Sequence, residues 1–104
     1  MKVDVSKGFE LGCFHFEVEN GKRTDAELRE RRRFGECSFD AHIIRVSQSY
    51  CPDQYHNTFI HELIEAVNVS YCDERIKHSE VTTLANGMAQ ALKSLRVNFQ
   101  YGGK

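Results

Sequence analysis

The sequence has 104 residues, of which 40% are hydrophobic and 28% charged, and its formal net charge at pH 7 is −1. This length suits one domain, residues 1–104, with a modest core. The balanced charge gives no general attraction to nucleic acid or to membranes, and no apolar run is long enough to span a bilayer. We expect a cytoplasmic protein, because residues 1–5 lack the apolar centre of a signal peptide.

The four cysteines lie far apart and include no Cys-x-x-Cys pair. Zinc sites built from four cysteines usually bring their ligands in close pairs. In a reducing compartment, buried free thiols are therefore the expected state of these residues, which are Cys13, Cys37, Cys51 and Cys72.

Alternating apolar residues predict a first strand over residues 9–19. The alternation changes phase between Cys13 and Phe14, which indicates either a bulge or a strand buried on both faces. The pair Asn20-Gly21 then predicts a turn. We expect the three phenylalanines of this strand to lie in the core rather than at a dimer contact: Phe9, Phe14 and Phe16.

The next segment is highly charged. Thr24 and Glu27 have the spacing of a capping box, which predicts a short helix to about Arg32, with a mobile loop as the alternative. Gly35 ends this segment. The basic run at residues 29–33 is interpreted as a solvated helix end rather than a contact for phosphate or nucleic acid.

Residues 39–47 are rich in β-branched side chains and predict the second strand. His42 in this strand is interpreted as a sheet-surface residue rather than a metal ligand. Pro52 suits the first turn of a helix. That helix is expected to continue to about Val69.

Helical geometry at 100° per residue divides this long helix into two sides. His61 and Glu65 lie together opposite the apolar arc, with Asn57 and Asn68 beside them. We therefore expect the pair to face a cleft or solvent. The apolar arc comprises Tyr55, Phe59, Ile60, Leu63, Ile64 and Val67.

A polar connection over residues 71–77 leads to a last helix, expected from Ser79, its cap, to about Val97. His78 falls on the apolar side of this helix and should point toward the preceding helix. Residues 100–104 are expected to fray. The predicted apolar stripe comprises Val81, Leu84, Ala85, Met88, Ala91, Leu92 and Leu95. The predicted fold class is α+β, with a small sheet or hairpin packed on two main antiparallel helices.

The long helix contains the motif His-Glu-x-x-Glu at residues 61–65, one residue different from the His-Glu-x-x-His of zinc peptidases. Residues four apart lie on one helix face, so His61 and Glu65 can bind the same metal ion. Glu62 is rotated by about 100° and is placed to act as a general base on a water molecule.

Catalytic zinc takes three protein ligands, so this pair needs a third. His78 is the best candidate, because it begins a helix that should pack antiparallel to the first. Lesser options are Glu80, Asp73 and His56. Two histidines and a glutamate suit Zn²⁺ and also Fe²⁺, Mn²⁺ or Ni²⁺.

The segment from Thr58 to Ala66 resembles the Thr-x-x-His-Glu-Leu-x-His-Ala pattern of minimal zincin-like metallopeptidase domains of phages and bacteria. The second histidine of that pattern is replaced by Glu65. SprT-like families are similar in placing a third histidine after the helix, where His78 lies. The resemblance covers residues 36–95.

The resemblance implies a zinc site at His61, Glu65 and His78, with Glu62 as the general base. It also implies a cleft whose edge, here residues 39–47, pairs with an extended peptide. Replacement of the second histidine by an anionic ligand reduces the charge available to acidify water.

Two functions of different class are expected from these features. The first is a small metal-dependent hydrolase acting on peptides. The second is a zincin-like scaffold that lacks catalysis and binds a partner protein. A stand-alone nucleic-acid binder is the weakest hypothesis, because a single basic run without interleaved aromatic residues gives it little support.

Overall fold

The computed structural model describes residues 1–102. The predicted α+β class is confirmed: three helices pack with a mixed four-stranded sheet, and a separate two-stranded sheet joins the chain ends. The four-stranded sheet has the order β2-β3-β5-β4. The elements are β1 (Lys2–Asp4), β2 (Phe9–Leu11), β3 (Phe14–Glu19), α1 (Lys22–Glu30), β4 (Gly35–Ser38), β5 (Ile43–Val46), α2 (Pro52–Cys72), α3 (His78–Ser94) and β6 (Asn98–Gln100).

The predicted first strand is two strands, so the interpretations as a bulge or as a doubly buried strand were wrong. β2 and β3 form an antiparallel hairpin in which Phe9 lies opposite Phe16. Gly12 adopts a left-handed φ of 63° in the turn between them. The phase change at Cys13 and Phe14 is therefore the turn itself. Phe16 is buried in the core, whereas Phe14 is half exposed.

The predicted second strand is also shorter than expected. β5 covers Ile43–Val46, and residues 39–42 form a turn that joins it to β4, a strand that the sequence did not predict. His42 lies in this turn at φ 54°, with its ring stacked on Phe14 at 4.2 Å between centroids. The placement of His42 within a strand was therefore wrong.

Helix α1 begins two residues before the predicted cap. Gly21 is its N-cap, and the Thr24 hydroxyl donates instead to Glu19 at 3.2 Å, so the predicted capping box does not form. After the helix, Arg31 donates to Glu36 at 2.6 Å. Arg45 of β5 also pairs with Glu36, at 2.9 Å, so Glu36 links the basic run to the outer face of the sheet.

Helix α2 packs on the opposite face of the sheet and is three residues longer than predicted. Pro52 occupies its first turn, as expected. The main core lies between α2 and the sheet and is built from Val5, Phe16, Val18, Ile44, Val46, Tyr55, Phe59 and Ala66.

Helix α3 runs antiparallel to α2: Asn57 bonds to Asn86, whereas Glu65, further along α2, bonds to His78 at the start of α3. The predicted stripe was partly wrong, because the buried positions are Val81, Ala85 and Ala89. These small side chains allow α3 to approach Ile60 closely. The helix is consequently rotated so that four predicted core residues are exposed: Leu84, Met88, Ala91 and Leu95.

The chain after α3 does not fray as predicted. Asn98–Gln100 forms β6, which pairs in parallel with β1, and Gly102 N–H donates to Asp4 at 2.7 Å. Gly103 and Lys104, also part of the predicted frayed tail, lie outside the described residues. Among residues 1–102, the helices are all too short or too polar to cross a membrane.

Candidate functional site

Three side chains meet beside the middle of α2, where the start of α3 packs against it. His61 and Glu65 lie one turn apart on α2, and His78 is the first residue of α3. One donor atom from each residue lies within 4.8 Å of the other two. The Glu65 Oε2 atom is 3.2 Å from His78 Nδ1 and 3.8 Å from His61 Nε2. The structure thus brings together the three residues predicted as ligands.

The separations suit a single cation. Around tetrahedral zinc with bonds of roughly 2.0–2.2 Å, ligand atoms lie about 3.3–3.6 Å apart. The two distances from Glu65 lie close to this range, and all three donor atoms lie within 4.8 Å of one another. The donors are also chemically suitable, since imidazole nitrogen and carboxylate oxygen both bind zinc.

The electrostatic surroundings favour a neutral His61. Burial lowers the pKa of His61, nearby His78 lowers it further, and Glu65 partly opposes both effects. The His61 side chain is 19% exposed, and its ring centroid is 5.2 Å from that of His78. A neutral imidazole keeps the lone pair that a metal ion requires.

Glu62 points from α2 toward strand β4 and is only 8% exposed. Its Cγ atom lies 3.3 Å from the position that a β-carbon would take at Gly35. Burial raises the pKa of Glu62 to about 8, Glu65 and Glu36 add to this increase, and Arg33 opposes it. A cation at Glu65 would favour the ionised form of Glu62, which a general base needs.

A cleft of about 880 Å³ runs past these residues, between β4 and the two long helices. Its edge was predicted at residues 39–47, but this was wrong, because β5 is internal and β4 is the edge strand. Ser47 N–H donates to Phe34 O across β4 and β5, and on the other side of β5, Glu17 N–H donates to His42 O. In an antiparallel pair of strands, hydrogen-bonded and non-hydrogen-bonded residue pairs alternate. The backbone N–H and C=O groups of Gly35 and Cys37 therefore point away from β5, toward the cleft.

The other candidate ligands lie elsewhere. His56 is buried, with Nε2 3.0 Å from the carbonyl of Ala89 and Nδ1 accepting from Phe99 N–H at 3.0 Å. Glu80 accepts from Lys77 N–H at 3.1 Å, and Asp73 forms the left-handed C-cap of α2. Of the four options for a third ligand, His78 is the one that joins the described cluster.

Two features of the site escaped sequence reasoning. Cys37 lines the cleft, and burial together with Glu62 and Glu65 raises the pKa of its thiol to about 12. Gly35 is the second, because an added β-carbon would lie 2.6 Å from Thr58 Cγ2 and 2.8 Å from Arg45 O. The signal for both would have been strand β4, which is too short to produce a clear alternation.

Comparisons with known proteins do not assign this site. The chain matches no family model, no curated protein and no solved structure.

Proposed function

We propose that this protein is a small metal-dependent hydrolase that cleaves peptides, with one zinc ion held by His61, Glu65 and His78. The observation that supports this proposal is the cluster of three suitable donor atoms within 4.8 Å at the floor of an open cleft. The four cysteines, all within the described residues, are free thiols, which fits the reducing cytoplasm. Their expected burial was wrong, because Cys13 and Cys51 are exposed and the other two are partly buried.

The chemistry that zinc supplies when bound is acidification of a water molecule and polarisation of a carbonyl group. Glu62 follows His61 directly, and its carboxylate takes the proton of the attacking water and delivers it to the leaving amine. The buried position of Glu62 restricts its side chain to the side of the cleft next to β4. Glu65 reduces the net charge of the metal site, so we expect slower hydrolysis than from a site with two helix histidines.

Strand β4 provides the feature expected for peptide binding. The peptide groups of Gly35 and Cys37 face the cleft at a free sheet edge, where an extended peptide can add as a further strand. A peptide bound there passes over the α2 face that contains the motif. We therefore propose an extended polypeptide as the substrate.

Metal analysis combined with two substitutions tests the proposal. Protein purified without added metal should contain close to one equivalent of a transition metal, and His61→Ala should abolish this. Glu62→Gln should keep the metal and lose hydrolysis of casein or a peptide library. Absence of metal from the wild-type protein after incubation with zinc and desalting would contradict the proposal.

The free edge of β4 also favours a second candidate function, a zincin-like scaffold that binds a partner segment without cleaving it. Its hydrogen bonds come from the backbone of β4 and need no metal. Under this alternative, peptides selected from a library bind with unchanged affinity after His61→Ala and remain intact. Cleavage of the selected peptides would exclude it.

A further inference from the structure

We infer that Asn68 is a positioning residue for the metal site: its buried side chain holds the chain at Ile76 and thereby places His78 beside Glu65. This inference rests on the proposed function, because it concerns the third ligand of the same site. Asn68 is absent from the His-Glu-x-x-Glu motif and has no place in the candidate ligand set.

The side chain of Asn68 forms a two-point contact with one residue of the α2–α3 connection. Its Nδ2 donates to the carbonyl of Ile76 at 2.9 Å, and its Oδ1 accepts from Ile76 N–H at 3.1 Å. Asn68 is 5% exposed, so these bonds are shielded from water. Two bonds to the same residue, one on each of its flanking peptide groups, fix both the position and the orientation of the chain two residues before His78.

The backbone of Asn68 reinforces this contact. Its carbonyl accepts the N–H groups of both Asp73 and Glu74. These two residues have φ values of 56° and 58°, a left-handed conformation that non-glycine residues adopt at an energetic cost. The connection therefore has a strained path that the bonds to Asn68 hold in place.

His78 depends on this path more than the other two ligands do. His61 and Glu65 share a continuous helix with Asn68, whereas the His78 side chain is 75% exposed and, among residues 1–102, has Glu65 as its one hydrogen-bond partner. The remainder of α3 is held independently by buried Val81, Ala85 and Ala89. Loss of the Asn68 bonds should therefore displace the start of α3 while the helix stays docked.

A double-mutant cycle on zinc affinity tests this role. The full chain is titrated with zinc against a chromophoric chelator as wild type, Asn68→Ala, His78→Ala and the double variant. We expect Asn68→Ala to weaken zinc binding by about 10–100-fold, the range found when groups that orient ligands are removed. In the His78→Ala background, the same change should weaken zinc binding by less than about 2-fold, because the ligand that Asn68 positions is already absent.

Asn57→Ala is the matched control. Asn57 lies on the same helix and bonds across the same helix pair, to Asn86 at 3.2 Å, but it does not contact the connection. This variant should bind zinc within about 2-fold of wild type. The cobalt absorption spectrum should lose intensity in Asn68→Ala and stay unchanged in Asn57→Ala, because only the former alters the coordination geometry.

If Asn68→Ala does not fold, Asn68→Asp enters the same cycle, since it keeps the oxygen that accepts Ile76 N–H and loses the donor to the Ile76 carbonyl. Zinc binding that is unchanged by both substitutions, or weakened equally with and without His78, overturns the inference and leaves the proposed function standing. A wild-type protein that binds no zinc overturns the proposed function and this inference together.

Discussion

Helix α2 contains two histidines five residues apart whose surroundings differ in kind. His56 is 3% exposed, and backbone groups of Ala89 and Phe99 satisfy both of its ring nitrogens. His61 faces a cleft, where its neighbours are a carboxylate and a second imidazole. A histidine with two backbone partners stabilises the fold, whereas one that faces other donor side chains is free to bind a cation.

The largest expected effect separates the two histidines by stability. His56→Ala leaves a buried N–H and a buried carbonyl without partners, so we expect the free energy of unfolding to fall by about 3 kcal/mol. His61→Ala in metal-free protein should cost less than about 1 kcal/mol, since the His61 ring has no backbone hydrogen bond among the described contacts. Urea denaturation with chelator present measures both values. Equal losses of unfolding free energy in the two variants would contradict the different roles assigned to His56 and His61.

Zinc should stabilise the folded protein through His61 and not through His56. A ligand that binds only the folded state at 100 times its dissociation constant stabilises that state by about 2.7 kcal/mol. We expect this gain in wild-type protein and in a folded His56→Gln variant, but not in His61→Ala. Thermal or urea unfolding with and without zinc measures it. A zinc-dependent gain in His61→Ala would contradict the proposed ligand set.

Glu62, beside the cleft, should give the stability of the fold a distinctive pH dependence. Burial raises the pKa of Glu62 from its ordinary value of 4.5 to about 8 in the folded state, so the folded protein holds a proton that the unfolded chain releases. This contribution to stability is complete below about pH 4.5 and is lost as pH rises through about 8. At pH 9 in chelator, the free energy of unfolding of Glu62→Gln, measured by urea denaturation, should therefore exceed that of wild type by on the order of 2 kcal/mol.

Glu36 provides the control for this pH experiment. Burial would raise the pKa of Glu36, but hydrogen bonds from Arg45 and Arg31 outweigh burial and lower it. Its contribution to stability is therefore present above the ordinary pKa of 4.5 and lost as pH falls. Glu36→Gln should destabilise the protein at pH 7 and pH 9 alike. A stabilising effect of Glu36→Gln at pH 9 would show that the gain in Glu62→Gln is not specific to burial.

The smallest expected effect lies away from both histidines. Met88→Gln changes an exposed face of α3 and should alter the free energy of unfolding by less than about 0.5 kcal/mol, with zinc affinity unchanged. Ala85→Gln, three residues earlier on the same helix, forces a longer polar side chain against Ile60 and should cost more than 2 kcal/mol. Equal costs in urea denaturation would contradict the observed rotation of α3.

Local signals in the sequence were enough to predict helix α2. Pro52 indicated its start, and the spacing of its apolar residues predicted the buried side, which packs on both the sheet and α3. The spacing of His61 and Glu65 placed both on the cleft side, and proximity along the chain brought His78 within reach. Each of these inferences depends on geometry within one helix or across one short connection.

The errors arose where a partner outside the segment decides the structure. Gly35–Ser38 becomes a strand because β5 pairs with it across the turn at residues 39–42, and Asn98–Gln100 becomes a strand because it pairs with β1, nearly a hundred residues earlier. The rotation of α3 was missed because leucine and methionine are more hydrophobic than alanine, yet close approach to α2 favours Ala85 and Ala89 at the contact.

By itself, the sequence determined the helix that presents His61, Glu62 and Glu65, since periodicity and spacing are properties of a single segment. The tertiary structure alone decided that His56 is held by backbone groups, that β4 is the free edge of the cleft, and that Asn68 holds the connection before His78. These contacts join side chains and strands of different segments, and such pairing leaves no pattern within either segment alone.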